Sequence, residues 1–407
     1  MKLFAVCVPG LESYTSQELE RPGLSILHPE EKNVDHEIGG VEFEGDLIDI
    51  YRCNLHLRTA SRVLVRLGSF YAAGFPELRR KAGNLPWEQY LKPGQPVAIR
   101  VTCHQSRLYH QRAVAERIVG AISDRLNQPV QVAKYHEELE TKSSIDNPPS
   151  PPFSKGGMGR LMSKGGTGGS LILVRMVKDQ CTISIDSSGE LLHRRGYRLA
   201  LTKAPLRETL AAAMLLASGW DRISPLLDPF CGSGTIPIEG ALMARQIPPG
   251  WRRNFAFMNW PNFEEKTWDT LLQGATPRPQ THFPKIIASD RDAGAIRAAQ
   301  ANAERAGVLD CVEFSCHAVS SIDPPSGIGW VVTNPPYGVR TESNRDLRNL
   351  YAQFGKVLRK KCPGWQVTML CSSSQLLHNT GFQFDEGISL MNGGIKVKLI
   401  RGTVRYL

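Results

Sequence analysis

Asp228-Pro-Phe-Cys-Gly-Ser-Gly-Thr235 decides how this chain is read. The apolar run 224–230 predicts a strand that ends near Asp228. Gly232 and Gly234 let the backbone turn tightly and approach a ligand with no Cβ in the way. Thr235 opens a helix over 235–245. In open α/β sheets such a strand–turn–helix junction lies at the carboxyl edge, where ligands bind. The run is not the full Gly-x-Gly-x-x-Gly, because Ile236 and Pro237 follow. It is not a phosphate-binding P-loop, because no Gly-Lys-Ser/Thr is present.

The pattern continues outward from this turn. Helix 204–220 precedes it. Strands are predicted at 285–290, 329–336 and 365–373, with helices at 293–307 and 347–361 between them. Strands alternating with helices imply a parallel, doubly wound sheet. Residues 397–406 read as closing antiparallel strands.

Two further motifs end strands. Ala288-Ser-Asp290-Arg-Asp292 places a carboxylate where ribose hydroxyls can be accepted. Asp290 taken alone also reads as a helix N-cap, although Asp292 suits the helix at Ala293 better. The 56 residues between Gly234 and Asp290 exceed the usual offset of about 20, and the polar, aromatic stretch 246–284 reads as an insertion. Thr333-Asn334-Pro335-Pro336-Tyr337-Gly338 ends a later strand. A residue before proline is pushed to an extended conformation, and proline has a fixed φ and no N–H. The expected result is a rim of acceptors, suited to an exocyclic amine, beside an aromatic ring suited to a flat base. A plain Pro-rich turn is the alternative.

The N-terminal half is different. Strands at 3–8 and 39–46 with helices at 13–20 and 46–53 suit a small α/β module. Strands at 60–70 and 96–104, a helix at 109–126 and a hairpin at 171–177 and 182–188 form a second one. Residues 145–170, IDNPPSPPFSKGGMGRLMSKGGTGGS, are Pro-rich and then Gly-rich, and SKGGMG recurs as SKGGTG. That composition buries too little to fold, so it reads as a disordered insert or, alternatively, a polyproline ligand.

The net charge of +10 is segregated. Residues 1–50 carry 3 Lys/Arg against 11 Asp/Glu, and residues 51–134 carry 14 against 4. Segregation favours a face for a polyanion over general solubility. The 407 residues, 41% hydrophobic and 22% charged, suit two or three globular domains without staples. Nine scattered cysteines without a Cys-x-x-Cys read as reduced thiols and not a metal site. No run of 18 apolar residues predicts a membrane span, and the N-terminus lacks a signal-peptide pattern. A cytoplasmic location is expected.

The three strand-end motifs in this order, DPFCGSGT then NPPYG, resemble the class I S-adenosylmethionine-dependent methyltransferases that modify base amino groups. His193-Arg-Arg-Gly-Tyr-Arg198, Ala204-Pro-Leu-Arg-Glu-Thr-Leu-Ala211, Pro248-Pro-Gly-Trp-Arg-Arg-Asn-Phe-Ala256 and Trp260 resemble the RlmL group of guanine-N2 rRNA methyltransferases. The resemblance implies a ferredoxin-like piece at 1–58, an RNA-binding THUMP domain at 59–190 and a Rossmann-like methyltransferase domain at 191–407. It implies S-adenosylmethionine held by Asp228, Phe230, Gly232, Ser233, Gly234, Thr235, Asp290 and Asn334. Asn334, Pro335 and Tyr337 become the catalytic residues. RNA contacts are expected from Arg79, Arg80 and Lys81 and from Arg194, Arg195 and Arg198. The implied substrate is a guanosine N2 amine in 23S rRNA or a ribosome assembly intermediate. A tRNA guanine-N2 methyltransferase, a DNA amino-methyltransferase and an RNA-binding protein with a degenerate cofactor site are the alternatives. His317 stands where related enzymes carry an Asp toward the adenine. The second methyltransferase domain of some such proteins has no counterpart in these residues.

Overall fold

The computed structural model describes residues 1–20, 38–133, 169–198, 206–275, 283–337 and 344–405. The insert expected at 145–170 lies almost wholly outside them. In chain order the strands are β1 (Lys2–Val6), β2 (Gly40–Glu44), β3 (Arg62–Tyr71), β4 (Val97–His104), β5 (Ser170–Val177), β6 (Gln180–Asp186), β7 (Leu226–Asp228), β8 (Ile286–Asp290), β9 (Val312–Cys316), β10 (Trp330–Thr333), β11 (Gln366–Cys371), β12 (Ile388–Asn392) and β13 (Ile395–Thr403). The α-helices are α1 (Glu12–Leu19), α2 (Leu47–His56), α3 (Phe75–Gly83), α4 (Gln111–Leu126), α5 (Glu208–Ala217), α6 (Thr235–Ala244), α7 (Glu265–Gly274), α8 (Ala293–Ala306), α9 (Asn344–Lys361) and α10 (Ser374–Thr380).

Two compact units form, and they interleave along the chain. The first comprises Met1–Val6, Leu19–Leu192 and Arg252–Gly274; the second comprises Cys7–Glu18, His193–Trp251 and Ala275–Leu407. Most of the stretch read as an insertion, 246–284, therefore belongs to the first unit. Its aromatic content explains why. Phe257 stacks on Tyr51 with ring centroids 4.5 Å apart, and Trp268 meets Tyr51 edge-on at 6.0 Å. The Tyr51 hydroxyl accepts from the Glu264 backbone N–H at 3.0 Å.

The first unit holds a six-stranded sheet in the order β2-β1-β3-β6-β5-β4. Only β4 and β5 run parallel in it. The β5–β6 hairpin turns at Lys178 and Asp179, both left-handed with φ of 50° and 64°, as a tight primed turn requires. Asp46 caps α2 in a capping box with Asp49.

In the second unit the sheet order is β9-β8-β7-β10-β11-β13-β12. Strands β7 to β11 are mutually parallel, and β13 and β12 close the sheet antiparallel. Side chains alternate between two apolar clusters, one per face. Leu226, Val332 and Leu370 face a cluster containing α5, α6 and α8 residues. Leu227, Val331 and Met369 face one containing α9 and α10 residues. Helix α6 (TIPIEGALMA) is apolar apart from Thr235 and Glu239, and every one of its residues is buried, as so apolar a helix must be. Strand order reverses between β8 and β10 on either side of β7. That switch point sits at the end of β7, and it places Asp228, Asp290 and Asn334 on one edge.

Candidate active site

Asp228 is fully buried at the end of β7. Its Oδ1 accepts from the Thr333 hydroxyl at 2.6 Å and from the Phe230 N–H at 3.2 Å. Burial pushes its carboxyl up to about 7 against the pull of those two hydrogen bonds, and the nearby Asp290 pushes the same way as burial. Asp228 thus joins the glycine turn to the strand that carries Asn334.

The turn itself is left-handed at both glycines, with φ of +53° at Gly232 and +84° at Gly234. A Cβ on Gly234 would sit 2.9 Å from the Ala299 Cβ of α8. The Gly232 N–H donates to Asp290 Oδ2 at 3.0 Å, while Asp290 Oδ1 accepts from the Asp292 N–H at 2.9 Å. The Asn302 carboxamide of α8 donates to the Ser233 carbonyl at 3.0 Å. Asp292, and not Asp290, caps α8 by accepting from Gly294. Asp290 is therefore free of the capping role and shapes the loop. Phe230 packs edge-on to Phe354 at 5.5 Å.

Asn334 follows β10 directly. Its Oδ1 is buried from solvent and, among the described residues, meets no hydrogen-bond partner. A buried acceptor left unpaired costs about 1–3 kcal/mol, so the site holds an acceptor awaiting a donor. Pro335 is buried. The Tyr337 ring packs against both apolar clusters. Its hydroxyl accepts from the Asn392 amide at 2.7 Å, and its carbonyl accepts from the Ser372 hydroxyl at 2.6 Å. Asn392, on β12, was not visible as a site residue in the sequence. Cys231 is buried beside Asp228 and Asp290, and burial first and those carboxylates second hold its thiol well above the usual range. Such surroundings do not activate a thiol as a nucleophile.

The arginines assigned to RNA need correction. Arg195 is completely buried and pairs with Glu239 at 3.2 Å, and the Tyr197 hydroxyl donates to the same carboxylate at 3.0 Å. Arg198 donates to Thr235 Oγ1 at 2.9 Å and to the Leu206 carbonyl, and faces Glu208 at 3.3 Å. Both guanidinium groups brace the helix that leaves the glycine turn, and neither presents itself to a phosphate. Arg194 is half-buried. In the first unit Arg79 makes a bidentate pair with Asp124 at 2.9 and 3.0 Å. Lys81 donates to the Tyr71 carbonyl and pairs with Glu77, both at 2.8 Å. Arg80 is exposed on the same helix.

The comparisons with known proteins agree with this geometry. Residues 195–400, the stretch from Arg195 into β13, match the RMKL-like methyltransferase domain. The chain belongs to that family. The preceding residues match further models, the RlmL ferredoxin-like domain over 2–64 and the THUMP domain over 72–138. Ribosomal RNA large subunit methyltransferase K/L of Syntrophotalea carbinolica is 33% identical over 98% of this chain and 53% of its own length. The chain thus spans about half the length of that relative. A Synechocystis protein provisionally named an RNA methyltransferase is 32% identical over 98% of this chain and 95% of its own. A crystal structure provisionally titled a methyltransferase, complexed with S-adenosylhomocysteine, superimposes with a TM-score of 0.81 at 27% identity, covering 100% of this chain and 98% of that one.

The residues at this sheet edge fit a nucleoside-bearing cofactor. The left-handed glycines clear a cradle, and Asp290 keeps acceptor capacity beside it. His317 lies close by, its N–H donating to the Asp290 carbonyl at 3.0 Å and its ring set between the Ser315 hydroxyl at 3.0 Å and the Ala318 carbonyl at 3.1 Å. Among the described residues no helix is long and apolar enough to cross a membrane.

Proposed function

We propose that this methyltransferase modifies the exocyclic N2 amine of a guanosine in 23S ribosomal RNA, with S-adenosylmethionine as cofactor. The observation that carries the reading is the buried Oδ1 of Asn334 at the switch-point edge of the sheet, which meets no hydrogen-bond partner among the described residues. An amine is the donor that such an acceptor calls for. Asp228, Phe230, Gly232, Ser233, Gly234, Thr235 and Asp290 would hold the cofactor, which supplies an electrophilic methyl group.

The chain's own residues then have defined tasks. The guanine N2 lone pair is delocalised into the ring and is a poor nucleophile. Asn334 Oδ1 and the Pro335 carbonyl accept hydrogen bonds from the amine and turn its lone pair out of the ring plane. Tyr337, fixed through Asn392 and Ser372, supports the flat base. Orientation of this kind supplies much of a rate enhancement without a covalent nucleophile. S-adenosylmethionine held by those residues would supply the methyl group, and the amine, held by Asn334 and Pro335, would give up its surplus proton to solvent.

The match to a THUMP domain and the name of the K/L relative support an RNA substrate. The test is methyl transfer from isotopically labelled S-adenosylmethionine to 23S rRNA, 16S rRNA, tRNA and DNA, followed by nucleoside analysis. N2-methylguanosine in 23S rRNA is expected. Label appearing only in tRNA, or only as N6-methyladenine, would replace this reading, and no transfer to any of them would leave a binding protein.

A further inference from the structure

We propose that the turn between β4 and α4, residues 104–112, is a stacking platform for an unpaired base of single-stranded RNA, with Tyr109 as its ring. This rests on the RNA reading above and goes beyond it by naming a contact surface.

The sequence of the turn is His104-Gln-Ser-Arg-Leu-Tyr-His-Gln-Arg112. An aromatic ring interleaved with cations is the composition that single-stranded RNA selects, because every base has a face and every nucleotide a phosphate. Tyr109 is 70% exposed. Its ring leans on that of His110, with centroids 5.0 Å apart and planes 31° from parallel.

The exposure is not that of a loose loop. Gln105 takes a left-handed conformation with φ of 49°. The Ser106 hydroxyl donates to the His104 carbonyl at 3.0 Å and accepts from the Asp179 N–H at 3.1 Å. Asp179 Oδ1 accepts from the Arg107 N–H at 2.7 Å. Leu108 is buried at 5%. Ser106, Arg107 and Leu108, the three residues before Tyr109, are held by these bonds and by burial, so the ring is presented on a fixed base. A preorganised platform loses little entropy on binding.

The flanking charges complete the surface. The side chains of Arg107 and Arg112 are 71% and 91% exposed. Arg112 makes an exposed pair with Glu116 at 3.1 Å, of the kind that contributes little, while Arg107 lies 3.4 Å from the buried Asp179 with most of its side chain in solvent. Lys178 is exposed at the adjoining hairpin turn.

The experiment uses the full chain and a fluorescein-labelled, mixed-sequence oligoribonucleotide, offered single-stranded and as its blunt duplex. Tyr109→Ala is expected to weaken single-strand binding by about 5- to 100-fold, as loss of one base stack does. Tyr109→Phe should stay within about twofold of wild type, because stacking needs the ring and not the hydroxyl. Duplex binding and S-adenosylmethionine binding should be unchanged in both. Wild-type-like single-strand binding by Tyr109→Ala overturns the platform and leaves the RNA reading standing. Equal losses for single strand and duplex also overturn it, since the contact would then be with the backbone. Failure of the wild-type chain to bind either RNA removes the RNA reading and the platform together.

Discussion

The Thr333 hydroxyl reaches the Asp228 carboxylate at 2.6 Å across 105 residues of chain. This one bond ties the end of β7 to the end of β10. The glycine turn and the Asn334 rim are therefore set at a common height on the sheet edge. Catalysis by orientation needs that alignment, because a small misplacement of reacting groups is costly.

Asn334→Ala removes the unpartnered acceptor and leaves the cradle intact. We expect single-turnover methyl transfer to fall by about 10²–10³, the usual effect of losing one such hydrogen bond to a reacting group. Asn334→Asp should retain more activity than Ala. Binding of S-adenosylmethionine should persist in both. A wild-type rate for Asn334→Ala would mark the strand end as a structural turn.

Gly232→Val places a β-branched side chain at φ +53°, where such residues are strained. The Gly232 N–H also holds Asp290 at 3.0 Å. Calorimetry is expected to show lost cofactor binding by a chain whose circular dichroism is unchanged. Undiminished affinity in the folded variant would remove the cofactor assignment.

Asp228 carries a pH signature. Its folded pKa, raised to about 7 by burial, lies above its ordinary value of 3.8. The folded state then holds a proton that the unfolded state has lost, so this group's contribution is full below pH 3.8 and is lost as pH rises through 7. Asp228→Asn keeps an acceptor for Thr333 and cannot ionise. Relative to wild type it should gain about 2 kcal/mol between pH 5 and pH 8. Thermal melts at the two pH values measure this; a constant difference in Tm would contradict it.

Glu239 is buried with Arg195 as its ionic partner. Glu239→Ala takes from the buried Arg195 guanidinium the carboxylate it pairs with, and breaking such a pair typically costs about 3–5 kcal/mol. Denaturant melts of Glu239→Ala should show that loss, and replacing Arg195 by Met in the same chain should restore part of it. An additive double variant would mean that the two groups do not interact.

Arg80 should matter to RNA more than its neighbours. Arg79 and Lys81 are engaged with Asp124 and Glu77, whereas Arg80 projects from the same helix into solvent. Arg80→Glu is expected to weaken RNA binding and to flatten the salt dependence, since a phosphate contact releases counterions. An unchanged slope of log affinity against log salt would place the phosphate contacts elsewhere.

Much of the fold was legible in the residues themselves. Strand ends at Asp228 and Asp290 were marked by apolar runs meeting Pro, Gly or Asp, and such signals are local, whereas the strand read as 329–336 stops at Thr333. Lys178-Asp179 announced its hairpin for the same reason. Helices α3, α7 and α10 were missed: each is short, and α3 buries only Leu78 and Ala82, so its apolar periodicity is faint. What only the tertiary structure decided is where each charge and each acceptor stands. His193-Arg-Arg-Gly-Tyr-Arg198 reads as a basic surface run, yet Arg195 and Arg198 meet Glu239 and Glu208 in the interior. Asn334 reads the same whether or not its oxygen finds a partner. Burial is a property of segments brought together from far along the chain, and no local pattern of residue types encodes it.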